Sequence, residues 1–556
     1  MNLHKAVKKA KAYLQAGDIH KAEDMFKKIL QSAQHNLEAL HFLSLIAYRK
    51  GDTDSAIMYT KREIGLNPSD TNLYNNLGVM LKSKGSLDEA IENFRKAIDY
   101  NPGFADAHYN LGNALHMRGE LDEAITCYQT ALKNRPGDYE AWNNLGNAFK
   151  EKGFFDEAKA AYNKALQINP KFGLAYSNLG TVLQDQGEFE KAQEVYQRAV
   201  DIDPHFVTAF NNMGVALREQ GRLGEAAVYF EKVFKSNPRD PEAHWNMAIT
   251  YLLEGRFEEG WREYEWRFQR KNVTVVERLF TQPRWNGGNI EGRTILLYAE
   301  QGMGDTVHFI RYAPLVAGQG AKVIVECQKE LIPLVQSVQG VADVFEKGGE
   351  LPTFDVWCPL LTLPLLFATT IETIPANVPY VHVPEKLKEA WRQKVLKDPP
   401  GCRVGLVWAG NPKYRLDRIR SCPFELFTKL RDIDGVLLYS LQKGEADEQV
   451  KTFQSRLPLI DYMDDVRDFA DTAALIENLD LVISVDTAVL HVAGAMGKPA
   501  WAILPYVPDW RWMLNRSDSP WYPTMKLFRQ PKFGDWESVL REVAQALREE
   551  ISLKQC

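Results

Sequence analysis

Asp486, Thr487 and His491 lie directly after a short apolar run and carry side chains suited to ligand chemistry. The run, residues 481–485, is too short for a helix and rich in β-branched residues, which predicts a buried parallel strand. In open parallel sheets ligands bind where a strand ends, and the free N–H groups of a following helix favour phosphate. We therefore expect the phosphate of a nucleotide at Asp486, Thr487, Ala488 and His491.

The residues that follow complete a β-α-β crossover. A helix is predicted over 488–496 and a second strand over 500–504, with a glycine and a proline between them that end the helix. The alternative to ligand binding is that Asp486 only caps this helix and that His491 is a satisfied core histidine.

A second polar loop, EQGMGD at 300–305, follows the apolar run 294–299 and opens a predicted helix. Its glycines let the backbone approach a substrate, and Asp305 brings a carboxylate. Val307 stands where a dinucleotide fingerprint needs its third glycine, so this motif is incomplete. The alternative role for Asp305 is helix capping. The residues expected to contact substrate through their backbone are Gln301, Gly302 and Gly304.

A basic loop follows the predicted strand at 403–408. Four cations lie within eight residues and are opposed only by Asp417, and arginine binds phosphate oxygens in pairs. Asn411 is expected to contact donor or acceptor. The alternative is a solvated surface loop. The cations are Lys413, Arg415, Arg418 and Arg420.

Two more loops lie at equivalent strand ends. Gln442 and Lys443 are candidates for nucleotide contacts. In the loop at 505–516, Trp510 or Trp512 is suited to stacking on a base or sugar, and Arg511 to pairing with a phosphate or carboxylate. The alternative for this loop is an aromatic clasp that closes the lobe.

These loops need two parallel sheets to position them. Short apolar runs alternate with helical segments, which predicts an α/β fold of two Rossmann-like lobes, divided in the sequence near 384–401. A final amphipathic helix is predicted at 536–551. The predicted strands are 294–299, 322–326 and 354–357 in the first lobe and 403–408, 436–441, 481–485 and 500–504 in the second.

The first half of the chain is an internal repeat. Glycine recurs every 34 residues, proline and alanine keep the same period, and apolar residues fall three and four apart within each unit. This pattern resembles the tetratricopeptide repeat and predicts an α-solenoid of about eight helical pairs. The registered glycines are Gly17, Gly51, Gly85, Gly119, Gly153, Gly187, Gly221 and Gly255.

Asparagine also keeps the 34-residue period. An asparagine amide both donates to and accepts from a peptide backbone, so a row of amides can hold an extended chain without reading its side chains. The row resembles the one in the tetratricopeptide domain of animal O-linked N-acetylglucosamine transferases. The alternative is that the amides only tie neighbouring helices together. The residues are Asn76, Asn110, Asn144, Asn178, Asn212 and Asn246.

We expect the repeats to occupy 1–270, a linker 271–293, an acceptor-side lobe 294–390 and a nucleotide-sugar lobe 391–556. A formal charge of −6 gives no reason to expect nucleic acid. Six scattered cysteines, the absence of a signal-peptide pattern and the absence of a long apolar run predict a cytoplasmic protein without a membrane span. The sequence offers no convincing metal-ligand cluster.

The second half resembles a known enzyme family. EQGMGD at 300–305, DTAVLH at 486–491 and GKP at 497–499 are similar to motifs of the heptosyltransferases, glycosyltransferase family 9, over about 291–550. The resemblance implies a GT-B fold, inverting transfer without an obligatory metal, and Asp305 as general base. The whole chain looks like bacterial tetratricopeptide proteins with a C-terminal transferase domain, some of which modify flagellin.

The predicted function is transfer of a sugar from a nucleotide-sugar to a hydroxyl of an acceptor protein, flagellin-like or other, that the repeats hold. The nucleotide-sugar is a substrate, and no cofactor is expected. The alternatives are a lipid or glycan acceptor and an inactive scaffold. The resemblances leave ADP-, UDP- and CMP-sugars open as donors.

Overall fold

A computed structural model describes residues 3–270, 278, 280–412 and 417–554. The chain forms two compact units, Met1–Ala209 and Phe210–Cys556. Sixteen consecutive helices in the described residues confirm the α-solenoid prediction. They are α1 Leu3–Gln15, α2 Ile19–Ser32, α3 Leu37–Arg49, α4 Thr53–Leu66, α5 Thr71–Lys84, α6 Leu87–Tyr100, α7 Ala105–Arg118, α8 Leu121–Asn134, α9 Tyr139–Glu151, α10 Phe155–Ile168, α11 Gly173–Asp185, α12 Phe189–Ile202, α13 Val207–Glu219, α14 Leu223–Ser236, α15 Pro241–Glu254 and α16 Phe257–Tyr264.

The registered glycines turn the chain between paired helices. All eight have φ between +74° and +89°, a left-handed conformation that glycine adopts without strain. A second glycine in the unit lets the helices approach: a Cβ atom at Gly112 would lie 2.8 Å from the Tyr128 ring. The Tyr128 ring is fully buried, so this ring is part of the repeat core.

The second unit contains two sheets in which all strands run parallel. The first sheet has the order β3-β2-β1-β4. Its strands are β1 Thr294–Tyr298, β2 Lys322–Cys327, β3 Val341–Glu346 and β4 Val356–Pro359, and its helices are α17 Met303–Phe309, α18 Ala313–Ala317, α19 Ile332–Val335 and α20 Leu363–Leu366.

The second sheet has the order β10-β9-β8-β5-β6-β7 and follows the connecting helix α21, Glu385–Val395. Its strands are β5 Cys402–Val407, β6 Val436–Ser440, β7 Ile460–Asp461, β8 Leu481–Ser484, β9 Ala500–Leu504 and β10 Met525–Arg529, and its helices are α22 Asp417–Arg420, α23 Glu448–Phe453, α24 Phe469–Glu477, α25 Ala488–Ala495 and α26 Trp536–Lys554. The predicted α/β class is confirmed.

The last repeat helices share a core with the sheets in this second unit. Trp261 of α16 is buried, its indole lies 5.1 Å from that of Trp510, and its Nε1 donates to the carbonyl of Thr369 at 3.1 Å. A 3₁₀ helix, Glu265–Gln269, extends α16. Within the predicted linker 271–293, residues 271–277 and 279 lie outside the described residues.

No helix in the described residues is long and apolar enough to cross a membrane.

Candidate functional site

The two glycine- and aspartate-bearing segments lie against each other. β1 ends at Tyr298 and leads into α17, while β8 ends at Ser484 and leads into α25. Gly304 of α17 faces α25 so closely that a Cβ atom there would lie 2.9 Å from Cδ2 of His491. Because a larger residue at Gly304 would push the helices apart, glycine at this position permits their approach.

Asp305 uses both carboxylate oxygens. Oδ2 accepts from the backbone N–H of Gly302 at 3.0 Å, so the capping alternative is correct for this oxygen. Oδ1 accepts from Nη2 of Arg511 in a close ion pair. The carboxylate is thus oriented by its own helix and by a loop of the second lobe, with 23% of the side chain exposed.

Arg511 is a buried cation held between two carboxylates. Its Nη1 donates to Oδ1 of Asp509 at 2.8 Å, while Nη2 contacts Asp305. Burial opposes the charged form, but Asp509 and Asp305 outweigh it and raise the pKa of the guanidinium above its ordinary value. Of the two partners predicted for Arg511, phosphate or carboxylate, the structure places carboxylates around it.

Asp486 and His491 form a pair at the start of α25. Oδ1 of Asp486 lies 3.6 Å from Nε2 of His491. Burial alone raises the pKa of Asp486, but His491 and the positive charge of Arg420 outweigh it and hold that pKa below its ordinary value. The helix N-cap is Thr487, so the proposal that Asp486 merely caps the helix is wrong.

Thr487 and Ala488 complete the first turn of this helix. The hydroxyl of Thr487 is 3.0 Å from that of Ser484, and both Thr487 and Ala488 are half-buried. His491 is itself buried, with Nδ1 2.9 Å from the hydroxyl of Tyr522. It therefore has the polar partner that the core alternative predicted and also faces Asp486.

The basic loop brings one arginine toward this pair. Nε of Arg420 donates to Oδ1 of Asp417 at 2.9 Å, and the guanidinium lies against Gly410, where a Cβ atom would be 2.2 Å from Nη2. The charge of Arg420 acts on Asp486. Asn411 and Arg418 are exposed. Lys413 and Arg415 lie outside the described residues.

The side-chain amide of Gln442 is hydrogen-bonded to backbone groups of the protein. Its Oε1 accepts from the N–H groups of Trp408 and Ala409 at 3.2 and 3.0 Å, and its Nε2 donates to the carbonyl of Lys443. These bonds give the buried amide a structural role, and the nucleotide contact of Gln442 stays a prediction. Lys443 is exposed, and its ammonium group contacts the carbonyl of Val466.

Trp510 and Trp512 pack against other aromatic side chains. Trp510 packs against Trp261, Phe309 and Trp521, and Trp512 stacks on His491 with ring centroids 5.6 Å apart. Both indoles are buried. These contacts favour the aromatic-clasp alternative, and stacking of Trp510 or Trp512 on a base or sugar stays a prediction.

Several site residues were not predicted. His308, Asp509 and Tyr522 contact the predicted ones, and the carboxylate of Glu300, at the start of the glycine-rich loop, pairs with Arg267 at 2.9 Å. Asp509 lies two residues before Arg511 in the sequence, and this spacing of opposite charges was a usable signal. Tyr522 lies 214 residues from His308, and no local spacing connects such a pair. Within the described ranges no cluster of three metal-ligating side chains occurs.

The asparagine row has partners within each unit. In the first unit, Nδ2 of Asn110 and of Asn178 donates to Oδ1 of Asn75 and of Asn143, each at 2.9 Å. Asn144 donates to the Tyr109 hydroxyl and to Asn113, and it lines a groove of about 460 Å³. In the second unit, Oδ1 of Asn246 accepts from Arg218.

These bonds support the alternative in which the amides tie neighbouring helices together. Asn76, also in the first unit, is half-buried, as is Asn212 in the second. The peptide contact of the row stays a prediction.

Comparison with known proteins finds matches to segments in both halves of the chain. Residues 467–517 match the model of glycosyltransferase family 9 (heptosyltransferase), a segment that contains Asp486, His491 and Arg511. Residues 7–71 and 79–118 match tetratricopeptide repeat models, and residues 120–244 match the tetratricopeptide domain of cytochrome c-type biogenesis protein H.

The chain is similar to the protein FlbA of Caulobacter vibrioides, with 27% identity over 314 residues and 52% of each chain covered. It therefore spans about half the length of that curated relative. A crystal structure of MamA matches with 28% identity and a TM-score of 0.28, and the match covers 29% of this chain and 95% of MamA. A crystal structure of the tetratricopeptide protein YrrB matches with 29% identity and a TM-score of 0.26, and the match covers 32% of this chain and 92% of YrrB. The chain joins tetratricopeptide repeats to a segment that matches glycosyltransferase family 9.

Proposed function

We propose that the chain is a GT-B glycosyltransferase that moves a sugar from a nucleotide-sugar to a hydroxyl of a protein held by its repeats. The observation that carries the proposal is the meeting of α17 and α25, which brings Asp305 to a segment that matches a glycosyltransferase family. Two parallel sheets with their connecting loops at this meeting point support the GT-B assignment.

The transfer is proposed to invert the anomeric carbon. The acceptor oxygen forms a bond to that carbon, the bond from the carbon to the phosphate oxygen breaks, and the acceptor proton passes to Asp305. The carboxylate already accepts two hydrogen bonds, and its oxygens have further lone pairs for this proton.

The leaving phosphate is proposed to bind at the first turn of α25. Its free N–H groups and the positive end of the helix dipole favour an anion, and Arg420 lies near enough to act on Asp486. We expect no metal to be required, since backbone donors and arginine provide the positive charge.

The repeats are proposed to hold the acceptor polypeptide, with the groove beside Asn144 as one contact region. We propose that the acceptor is a cytoplasmic protein such as a flagellin-like protein. Similarity to a heptosyltransferase family favours an ADP-sugar over the other donors.

The test compares two aspartates that share Arg511. Asp305→Asn removes the proposed base, and Asp509→Asn, the matched control, changes the other partner of the same guanidinium. We expect Asp305→Asn to lower sugar transfer by about 10² to 10⁴, and Asp509→Asn to lower it much less. Full transfer activity in Asp305→Asn contradicts the assigned base.

Thermal shifts with ADP, UDP, GDP and CMP measure donor binding separately, because a ligand of the folded state raises stability by RT ln(1 + [L]/Kd). Both variants should keep the shift of the unmodified chain. If a nucleotide binds but the corresponding nucleotide-sugar is neither hydrolysed nor used for transfer, the chain is an inactive scaffold.

A further inference from the structure

The hydroxyl of Tyr522 lies between two buried histidines. It is 3.1 Å from Nδ1 of His308 on α17 and 2.9 Å from Nδ1 of His491 on α25. All three side chains are buried. One phenol therefore connects the helix that carries Asp305 to the helix that follows Asp486.

The number of protons limits how these groups bond. Burial raises the pKa of Tyr522 well above its ordinary value, so the phenol keeps its single proton. Burial, with the charges of Arg311 and Arg511, holds the pKa of His308 well below its usual value, so that ring is neutral. The phenol donates to one ring only, and the other ring must donate its own Nδ1–H.

Asp486 selects between the two orders. Its carboxylate, which is ordinarily ionised near neutral pH, lies 3.6 Å from Nε2 of His491. A bare Nε2 lone pair facing that carboxylate is repelled, whereas an Nε2–H is attracted. In a neutral His491 ring the proton is therefore on Nε2, and Nδ1 accepts the Tyr522 proton.

His308 must then carry the less common Nδ1–H tautomer. Its Nε2 is left without a proton and without a partner, which agrees with a buried Nε2 that contacts no donor or acceptor in the described part of the chain. The hydrogen bonds run in one direction, from His308 to Tyr522 to His491, and the Nε2–H of His491 faces Asp486.

We propose that Tyr522 and His308 are positioning residues that fix His491 with its Nε2–H toward Asp486 and the first turn of α25. The role given to this N–H rests on the proposed function, because the N–H points to where an oxygen of the donor phosphate or sugar can accept a hydrogen bond from it. Its hydrogen-bond order is measurable without any activity.

The test is the tautomer of each ring in the full chain labelled with ¹⁵N-histidine. Two-bond ¹H–¹⁵N correlations near neutral pH distinguish protonated from bare ring nitrogens, and His308→Gln and His491→Gln assign the two rings among the 11 histidines. We expect a bare Nδ1 on His491 and a bare Nε2 on His308. A protonated Nδ1 on His491, in a neutral or a charged ring, overturns the proposal.

Tyr522→Phe removes only the shared hydroxyl. We expect the His308 ring to lose the Nδ1–H tautomer and the kcat/KM for transfer to fall about two- to tenfold, as for the loss of one hydrogen bond. Tyr312→Phe is the matched control, because this buried hydroxyl bonds to Thr369 and contacts neither histidine.

If both histidine tautomers are unchanged in Tyr522→Phe, the proposal is overturned. If Tyr522→Phe does not fold, the tautomers in the spectrum of the unmodified chain decide the proposal. The expected tautomers in a chain that transfers no sugar support the hydrogen-bond order and reject the proposed function alone.

Discussion

Arg511 joins the two lobes through charge. Its guanidinium contacts Asp305 from the first lobe and Asp509 from its own loop, and only 6% of its side chain is exposed. Burial raises the pKa of Asp509, and the nearby charge of Asp486 adds to this effect, while Arg511 opposes both. The ionised state of this carboxylate therefore depends on the arginine.

Arg511→Met should lower the free energy of unfolding by about 1 to 3 kcal/mol, because it leaves two half-buried carboxylates without their cation. Arg516→Met is the matched control: Arg516 also pairs with an aspartate two residues away, Asp518 at 2.7 Å, but that aspartate side chain is 68% exposed. An exposed pair contributes about 1 kcal/mol or less.

Denaturant unfolding of both variants at neutral pH measures the difference. Equal losses of stability in Arg511→Met and Arg516→Met would show that burial does not distinguish the two arginines.

At the residue scale, sequence spacing found the residues that touch along one helix and missed those that meet through space. Thr487 and His491 were found because they lie four residues apart on one helix face, and Asp486 because it directly follows an apolar run. The packing of Trp510 on Trp261 was not predicted, because Trp261 lies 249 residues earlier in the chain and no local pattern indicates that contact. The bonds of Gln442 were not predicted either, because its partners are backbone groups of another loop.

At the scale of elements, the segment after the last repeat helix supports the glycine-rich loop. Nη2 of Arg267 donates to Oε1 of Glu300 at 2.9 Å, and both side chains are 1% exposed. Burial raises the pKa of Glu300 although Arg267 opposes this shift. The loop that leads to Asp305 therefore begins at a buried ion pair with the extension of α16.

Arg267→Met should destabilise the second unit by about 3 to 5 kcal/mol at neutral pH. Without its partner, Glu300 has a folded-state pKa still further above its unfolded value. A raised folded pKa costs no stability below the unfolded pKa, and the cost grows as the pH rises above it. The loss should therefore shrink as the pH falls.

Thermal unfolding of Arg267→Met and the unmodified chain from neutral to acidic pH tests this sign. The double variant Arg267→Met, Glu300→Gln should recover part of the stability at neutral pH, since it removes the unpaired charge. A loss that grows toward acidic pH would contradict the role given to Glu300.

The same scale shows which strands a sequence can predict. β1, β8 and β9 were predicted within one residue at either end, because interior strands of parallel sheets are continuous apolar runs. The strands missed were β3, β7 and β10, and all three lie at sheet edges. No residue of β3 is buried, so its sequence lacks the apolar run that marks a buried strand.

At the scale of the whole molecule, the proposed function separates acceptor binding from sugar transfer. The 34-residue period and its turn glycines predicted the repeats because every unit obeys the same local rules. The shared core of α16 with the sheets was not predictable in this way, since it joins residues such as Trp261 and Thr369 that are 108 positions apart.

Replacing Asn110, Asn144 and Asn178 together by alanine should weaken modification of a protein acceptor while donor hydrolysis stays unchanged. These amides also bond to neighbouring repeats, so their loss alone does not separate acceptor binding from stability. Asn75→Ala with Asn143→Ala is the matched control, because it breaks the bonds of Asn110 and Asn178 from the other side and leaves the row intact.

We expect the row variant to raise the KM for protein acceptor, and the control to lower thermal stability of the first unit with little change in that KM. Equal effects of the two variants on the KM would show that the amides serve only to join the helices. An unchanged KM in the row variant would remove the asparagines from the acceptor contact.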